Sequence, residues 1–165
     1  MLRHLLAVLV LPFNVLVTVP AVLLWREGFA GPDPLAFSTD LGVLLAAVGL
    51  SLLFTTIALF VRVGRGTLAP WSPTHRLVVR GPYRRVRNPM ISGVLFVLLG
   101  EALVFRSPSV LGWWALFFLA NAVYLPLSEE PGLEARFGDD YRRYKCQVPR
   151  WIPRLTPVPA SPPEA

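Results

Sequence analysis

The sequence predicts an all-α polytopic membrane protein, and three observations carry that expectation. Apolar residues make up 54% of the 165-residue chain, charged residues only 16%, and the mean hydropathy is +0.54; soluble domains carry about 25% charged residues. A chain this short has little interior in which to hide so much apolar surface. The apolar residues also gather in four uncharged or nearly uncharged runs, at residues 5–25, 41–61, 90–105 and 110–127. The first two are 21 residues each, close to the ~20 needed to cross hydrocarbon.

The first run is too long for the apolar core of a cleaved signal peptide, about 7–15 residues, and no small-residue cleavage site follows Trp25. Pro12 and Pro20 are expected to kink it, which a membrane helix tolerates when neighbours satisfy the freed carbonyls. The second run carries Gly42, Ala46, Ala47 and Gly49, small surfaces for close helix contact, with Asp40 as a plausible N-cap. The third begins at Pro89, which suits a first helical turn. Ser107-Pro108-Ser109 then turns the chain into the fourth, so the last two runs form a tight helical hairpin.

Beyond Leu127 the chain becomes charged. Leu133, Phe137, Tyr141 and Tyr144 recur at spacings of three and four, the mark of one helical face. An amphipathic helix is expected over residues 131–146, followed by an extended, proline-fixed stretch from Val148 to Pro153. Residues 1–156 form one membrane-embedded domain in this scheme, and residues 157–165 a disordered tail.

Sixteen basic residues against ten acidic give a net charge of +6. In a soluble protein that excess suggests nucleic acid; in a membrane protein it marks cytoplasmic loops. Residues 62–89 hold seven arginines and no acid, whereas residues 26–40 hold Arg26 against Glu27, Asp33 and Asp40. The positive-inside rule therefore puts the arginine loop and, with four spans, both termini in the cytoplasm. A bacterial inner-membrane location is expected, with membrane lipids and no nucleic acid as partners. The lone Cys146 forms no internal disulfide.

Chemistry concentrates at this cytoplasmic face. The loop closes with Gly81-Pro82-Tyr83-Arg84-Arg85-Val86-Arg87-Asn88-Pro89, between two turn signals. By itself it suits either an anchor for anionic lipid or part of a ligand site. Glu129-Glu130 places two carboxylates at the same face, either ending the fourth span or opening the next helix, where acids are favoured. Arginine forks would take a ligand carboxylate, and the glutamates an ammonium group or sugar hydroxyls. Glu101 is the one acid inside a run, a functional candidate by default, though a hydrogen-bonded carboxyl near the far interface accounts for it too. His75 has only His4 as company, and no metal site is expected.

At these residues the chain resembles the isoprenylcysteine carboxyl methyltransferase and phospholipid methyltransferase superfamily. The resemblance rests on Leu77-Val78-x-x-Gly81-Pro82-Tyr83-Arg84-x-Val86-Arg87-Asn88-Pro89-Met90 and on Glu129-Glu130-x-x-Leu133-x-x-x-Phe137-Gly138-x-x-Tyr141-x-x-Tyr144-x-x-x-Val148-Pro149, separated by a hydrophobic hairpin. It implies an integral membrane methyltransferase that uses S-adenosyl-L-methionine and acts on a lipophilic acceptor, an isoprenoid or prenylcysteine-like carboxylate or a phospholipid amine. It also implies that His75, Arg76, Leu77, Val78, Gly81, Tyr83, Arg87, Asn88, Pro89, Met90, Ile91, Glu129 and Glu130 hold the cofactor. Catalysis would come mainly from positioning, with Arg87, Asn88 and Glu130 as candidate catalytic groups. Many members carry His-Pro and Tyr where this chain has Asn88-Pro89 and Ile91, so no titrating base is expected there. Members acting on prenylcysteine carry an Arg about one turn before the Glu pair, where this chain reads Tyr124-Leu125-Pro126-Leu127. The alternatives are an NADPH-dependent membrane reductase of related architecture and a non-catalytic four-helix transporter or anchor relying on Glu101.

Overall fold

The computed structural model describes residues 12–28, 31–32, 35–63 and 77–160, with the backbone alone for residues 60–63. Among the described residues all regular structure is helical, as the apolar runs predict. A π-helical turn (Asn14–Thr18) leads into α1 (Val19–Arg26), followed by α2 (Phe37–Val63). A 3₁₀ turn (Gly81–Arg84) precedes α3 (Pro89–Val104), which the Ser107 turn joins to α4 (Pro108–Tyr124). A second π-helical turn (Leu125–Glu129) continues into α5 (Glu130–Phe137), and α6 (Asp139–Gln147) closes the helical part.

Two helical stretches are long and apolar enough to cross a membrane, Phe37–Leu59 and Pro108–Phe137; Asn14–Arg26 and Pro89–Val104 are shorter apolar helices. Only 22% and 11% of the two apolar windows is buried inside the protein. Side chains such as Leu44, Phe54, Leu116 and Leu119 therefore point outward. That much outward apolar surface is stable only against lipid, which makes this a membrane protein.

Both π turns are closed by the N–H of the residue immediately before a proline, and the chemistry explains why. The Val19 N–H reaches back five residues to the Asn14 carbonyl, and the Glu130 N–H likewise to Leu125. The next residue in each case, Pro20 or Pro131, has no N–H to give. The Val15 carbonyl thereby loses its partner in the widened turn, and the Trp113 indole N–H fills it at 3.0 Å. The expected proline kink in the first run is thus a widened turn tied to α4.

The tightest packing joins α2 to α3. Gly42 faces Gly100, and Gly49 faces Gly93, on antiparallel helices with seven residues between successive contacts. A methyl group on Gly49 would lie 2.6 Å from the Gly93 carbonyl oxygen, and one on Gly42 2.6 Å from that of Gly100. Backbone approach this close needs small residues. Leu16, Leu53, Val94, Val97 and Leu98 fill the adjacent core, with Met90, Trp113, Trp114 and Phe117 packed on it. At the hairpin end Glu27 accepts from the Ser107 hydroxyl at 2.6 Å and the Ser109 N–H at 3.2 Å. These bonds hold its carboxyl below the ordinary range, so the clamp is present at neutral pH and is lost as pH falls through that lowered value.

Several expectations change. The second helix runs from Phe37 to Val63, so Asp40 sits in its first turn and is no N-cap. The helix expected over residues 131–146 is two pieces, because Gly138 adopts φ 54° and ψ −128°, a region essentially reserved for glycine. The fourth run continues unbroken to Phe137. The tail expected from residue 157 is held at its start: Val158 is buried against Tyr141, Tyr144 and Val148. Residues 5–11, 64–76 and 161–165 lie outside the described residues.

The glycine contact gives a direct test. Gly49→Ala should destabilise the protein by ~1–3 kcal/mol through overpacking. Gly112→Ala, where an added methyl meets nothing within 4 Å, should be neutral or slightly stabilising. Thermal unfolding in detergent micelles measures both.

Candidate functional site

The site is built where the arginine loop, the α4–α5 rod and the C-terminal segment meet. Gly81 takes φ 54°, with Leu59 so close that a β-carbon would lie 2.8 Å from it. The chain then makes its 3₁₀ turn, pinned by the Tyr144 hydroxyl, which donates to the Tyr83 carbonyl at 2.8 Å. The loop pairs with the C-terminal segment backbone to backbone. The Arg87 N–H donates to Pro149 at 2.9 Å, Arg154 to Arg85 at 2.9 Å and Val158 to Arg84 at 3.0 Å. Arg84 Nε also bonds the Val158 carbonyl. Below lies a second apolar cluster of Tyr141, Tyr144, Val148 and Val158, with Leu77, Val79, Leu133 and Phe137 packed on it.

One buried carboxylate ties these parts together. Glu130 Oε1 accepts from Arg87 at 2.9 Å and from Arg150 at 2.7 Å, and Lys145 Nζ lies 3.3 Å from Oε2. The Glu130 side chain is 5% exposed and that of Arg87 10%. Three cations from three segments thus converge on one acid. The Glu130 bond holds Arg150 firmly protonated, raising it above the ordinary arginine value. Burial raises the Tyr83, Tyr141 and Tyr144 phenols, so all three are neutral hydroxyls at physiological pH. The outer pairs of Arg142 with Glu134 and Asp139, and of Arg143 with Asp140, are solvent-exposed and contribute little.

The residues singled out from sequence divide into distinct groups. Arg87 and Glu130 pair with each other, and both Glu130 oxygens are occupied by the protein's own cations. Leu77 and Met90 pack into the two apolar clusters. Val78, Tyr83 and Pro89 are buried, Ile91 is half-buried, and Gly81 shapes the turn. Asn88 precedes α3, its carbonyl accepting from the Ser92 N–H and hydroxyl at 3.0 Å each, while its side chain makes no cap bond. Glu129 is half-buried and has no hydrogen bond or ion pair among the described residues. It lies near enough to Tyr83 and Tyr141 for its charge to raise both phenols further. His75 and Arg76 lie outside the described residues. Among the described residues no metal-ligand cluster exists.

Beside the loop is a cavity of about 360 Å³. Pro82, Arg85 and Val86 form its loop wall, and Ser92, Leu95, Phe96 and Leu99 its α3 wall. Leu52, Trp114, Phe118, Trp151 and Pro153 complete it. Trp114 stacks on Phe118 with centroids 6.0 Å apart, and Phe118 meets Trp151 at 5.5 Å. Sequence reasoning missed this cavity, as it missed Lys145 and Arg150 as Glu130 partners. Trp151 lies within the proline-fixed stretch, and nothing in that pattern marks a cavity wall.

Removing one partner of a buried ion pair costs ~3–5 kcal/mol. Glu130→Gln should therefore unfold at markedly lower temperature and release the C-terminal segment to protease. Lys145→Gln, at a side chain that is itself 40% exposed, should cost under ~1 kcal/mol.

Comparison with known proteins agrees with the geometry. The phospholipid methyltransferase family matches residues 37–140, a stretch that includes α2, the loop, the hairpin and the Glu130 helix. Methanethiol S-methyltransferase 2 of Bradyrhizobium diazoefficiens is 34% identical over 76 residues, which is 44% of this chain and 27% of that protein's length. An uncharacterized protein of Haemophilus influenzae is 37% identical over 65 residues, 38% of this chain and its own full length. The family match spans more than half of the sequence and contains the first motif half and the start of the second, so the chain belongs to the phospholipid methyltransferase family.

Proposed function

We propose that the protein is an integral membrane methyltransferase that takes its methyl group from S-adenosyl-L-methionine and gives it to a lipophilic acceptor. The observation that carries this reading is the Glu129 carboxylate, unpaired among the described residues and near the buried Tyr83, together with an Asn88 side chain that makes no cap bond. The cofactor presents a ribose diol, an ammonium group and an adenine edge. A carboxylate free to accept and an amide able to donate and accept suit those groups. When bound, the cofactor supplies an electrophilic methyl group on sulfonium sulfur.

The chain's own residues then have separate tasks. Glu129 accepts hydrogen bonds from the ribose or ammonium end. Asn88 supplies an amide that does not titrate, so it orients without exchanging protons. Glu130 is committed to Arg87, Arg150 and Lys145, and acts by holding loop and C-terminal segment in register. This differs from the direct cofactor contact that the family resemblance implied. Positioning and exclusion of water supply the rate. A carboxylate or thiolate acceptor would need no base, whereas a protonated amine would first have to lose a proton.

In the same reading the chain has four spans, with the two shorter apolar helices completing the pair of long ones. The arginine loop, both termini and the cofactor site face the cytoplasm, as the positive-inside rule expects. A small thiol acceptor is the second reading, favoured by the similarity to a methanethiol S-methyltransferase.

The test is transfer of a labelled methyl group from S-adenosyl-L-methionine by the full-length protein in lipid nanodiscs. One reaction offers a total membrane-lipid extract and another methanethiol. Label in a lipid product supports the first reading, and label in dimethyl sulfide the second. No label in either, together with no cofactor binding by calorimetry, overturns both. Glu129→Gln should weaken cofactor binding by about tenfold or more, the worth of one charge-assisted hydrogen bond. Arg143→Gln on the exposed face of α6 should leave it unchanged.

A further inference from the structure

We infer that residues 151–155 form a membrane anchor, in which Ile152 and Leu155 enter the lipid leaflet on the arginine-loop side and Arg85 meets the phosphates of anionic lipids there. This surface lies apart from the cofactor site and does not depend on methyl transfer.

A lone exposed leucine needs no explanation on a protein surface. Here two aliphatic side chains lie three residues apart, Ile152 79% exposed and Leu155 92%, and they are not on a loose tail. The Arg87 N–H holds the Pro149 carbonyl before them, and the Arg154 N–H holds the Arg85 carbonyl between them. Val158, beyond both, is buried and its N–H bonds the Arg84 carbonyl. A backbone pinned on either side thus keeps both side chains outward.

Their neighbours set the depth. The Trp151 ring meets Phe118 at 5.5 Å, and Phe118 stacks on Trp114. Phe118 lies ten residues before Ser128-Glu129-Glu130, about 15 Å along the rod at helical rise. Trp151 and Pro153 also share a wall with Leu95 and Leu99 of α3 and with Phe96, which is exposed on that helix. The segment therefore lies against the apolar helices where their outer surface meets lipid, and Ile152 and Leu155 extend that surface.

The surrounding charge has one sign. Residues 77–100 and 148–160 hold six arginines and no acid. Arg87 and Arg150 pair with Glu130. Arg84 and Arg154 bond the Val158 and Gln147 carbonyls, which carry no net charge. Arg85 is exposed and has no hydrogen bond or ion pair among the described residues. An anionic leaflet matches both features, offering hydrocarbon to the aliphatic pair and phosphate to Arg85. Apolar insertion together with a basic patch is the two-part signal that holds a segment on a membrane. A second copy of the chain docked here through the same face would instead set like charge against like charge.

Cys146 is the one cysteine of the chain and is exposed, so a Cys146→Ser background accepts a single spin label elsewhere. The full-length protein is labelled at Ile152→Cys or Leu155→Cys, with Arg143→Cys on α6 as the water-facing control. It is placed in nanodiscs of phosphatidylcholine with phosphatidylglycerol. Oxygen concentrates in hydrocarbon and a nickel chelate stays in water. Labels at 152 and 155 should be relaxed mainly by oxygen, and the label at 143 mainly by nickel. In unlabelled protein, phosphatidylglycerol brominated near its glycerol backbone should quench the part of the fluorescence that Trp151→Phe removes. The matching phosphatidylcholine should do so less. Arg85→Gln should cut that preference about fivefold, and added salt should weaken it. Nickel-dominated relaxation at both positions overturns the proposal, as does equal quenching by the two lipids or a preference that Arg85→Gln leaves intact. Shielding from both relaxants with dipolar broadening between labels shows a second copy on this face and also overturns it.

Discussion

The carboxylate of Glu130 is the constraint on which the arginine-loop end of the structure depends. It is buried, and a buried charge without partners is prohibitively costly. Its partners come from three places far apart in sequence: Arg87 before α3, Lys145 on α6 and Arg150 beyond it. The ion cluster can form only when the loop, the long α4–α5 rod and the C-terminal segment are all in place. The backbone bonds between the loop and residues 149–158, and the apolar cluster beneath them, then follow from that arrangement. Glu129, one residue earlier, is half-buried and unpaired among the described residues. Adjacent acids thus divide into one that holds structure and one that remains available.

The π-helical turn before Pro131 makes this division possible. An extra residue in a turn advances the helix phase by about 100°, and such turns frequently sit at functional sites. Without it the glutamates would present different sides to the loop. The same device near Pro20 frees a carbonyl for Trp113 and locks the first helix to the hairpin. Proline, often counted only as a helix breaker, here relocates hydrogen bonds within helices that continue through it.

The middle of the molecule obeys a different rule. Between apolar helices in lipid there is no hydrophobic gain from association, so contact must come from packing. The Gly42–Gly100 and Gly49–Gly93 contacts provide it by bringing two backbones together. Much of the remaining helix surface faces outward and stays apolar. The cavity lies where this rigid pair meets the loop and the aromatic wall, so one side of the site is membrane-like and the other polar.

Composition and periodicity were enough to establish a helical membrane protein, and the order of motif residues was enough to indicate the family that the comparison then showed. Those properties are local: an uncharged run must avoid water wherever it folds, and a proline or glycine acts on its own neighbours. The sequence left open which glutamate is committed, that the α6 helix is separate, that Val158 is core and not tail, and that a cavity opens beside Arg85. Each depends on where segments dozens of residues apart come to rest. Lys145 and Glu130 have no spacing that marks them as partners, and Arg85 looks like its neighbours Arg84 and Arg87 until their bonds are known. Only the tertiary structure distinguishes three adjacent cations, because burial and partners, not residue type, decide which charge is already satisfied.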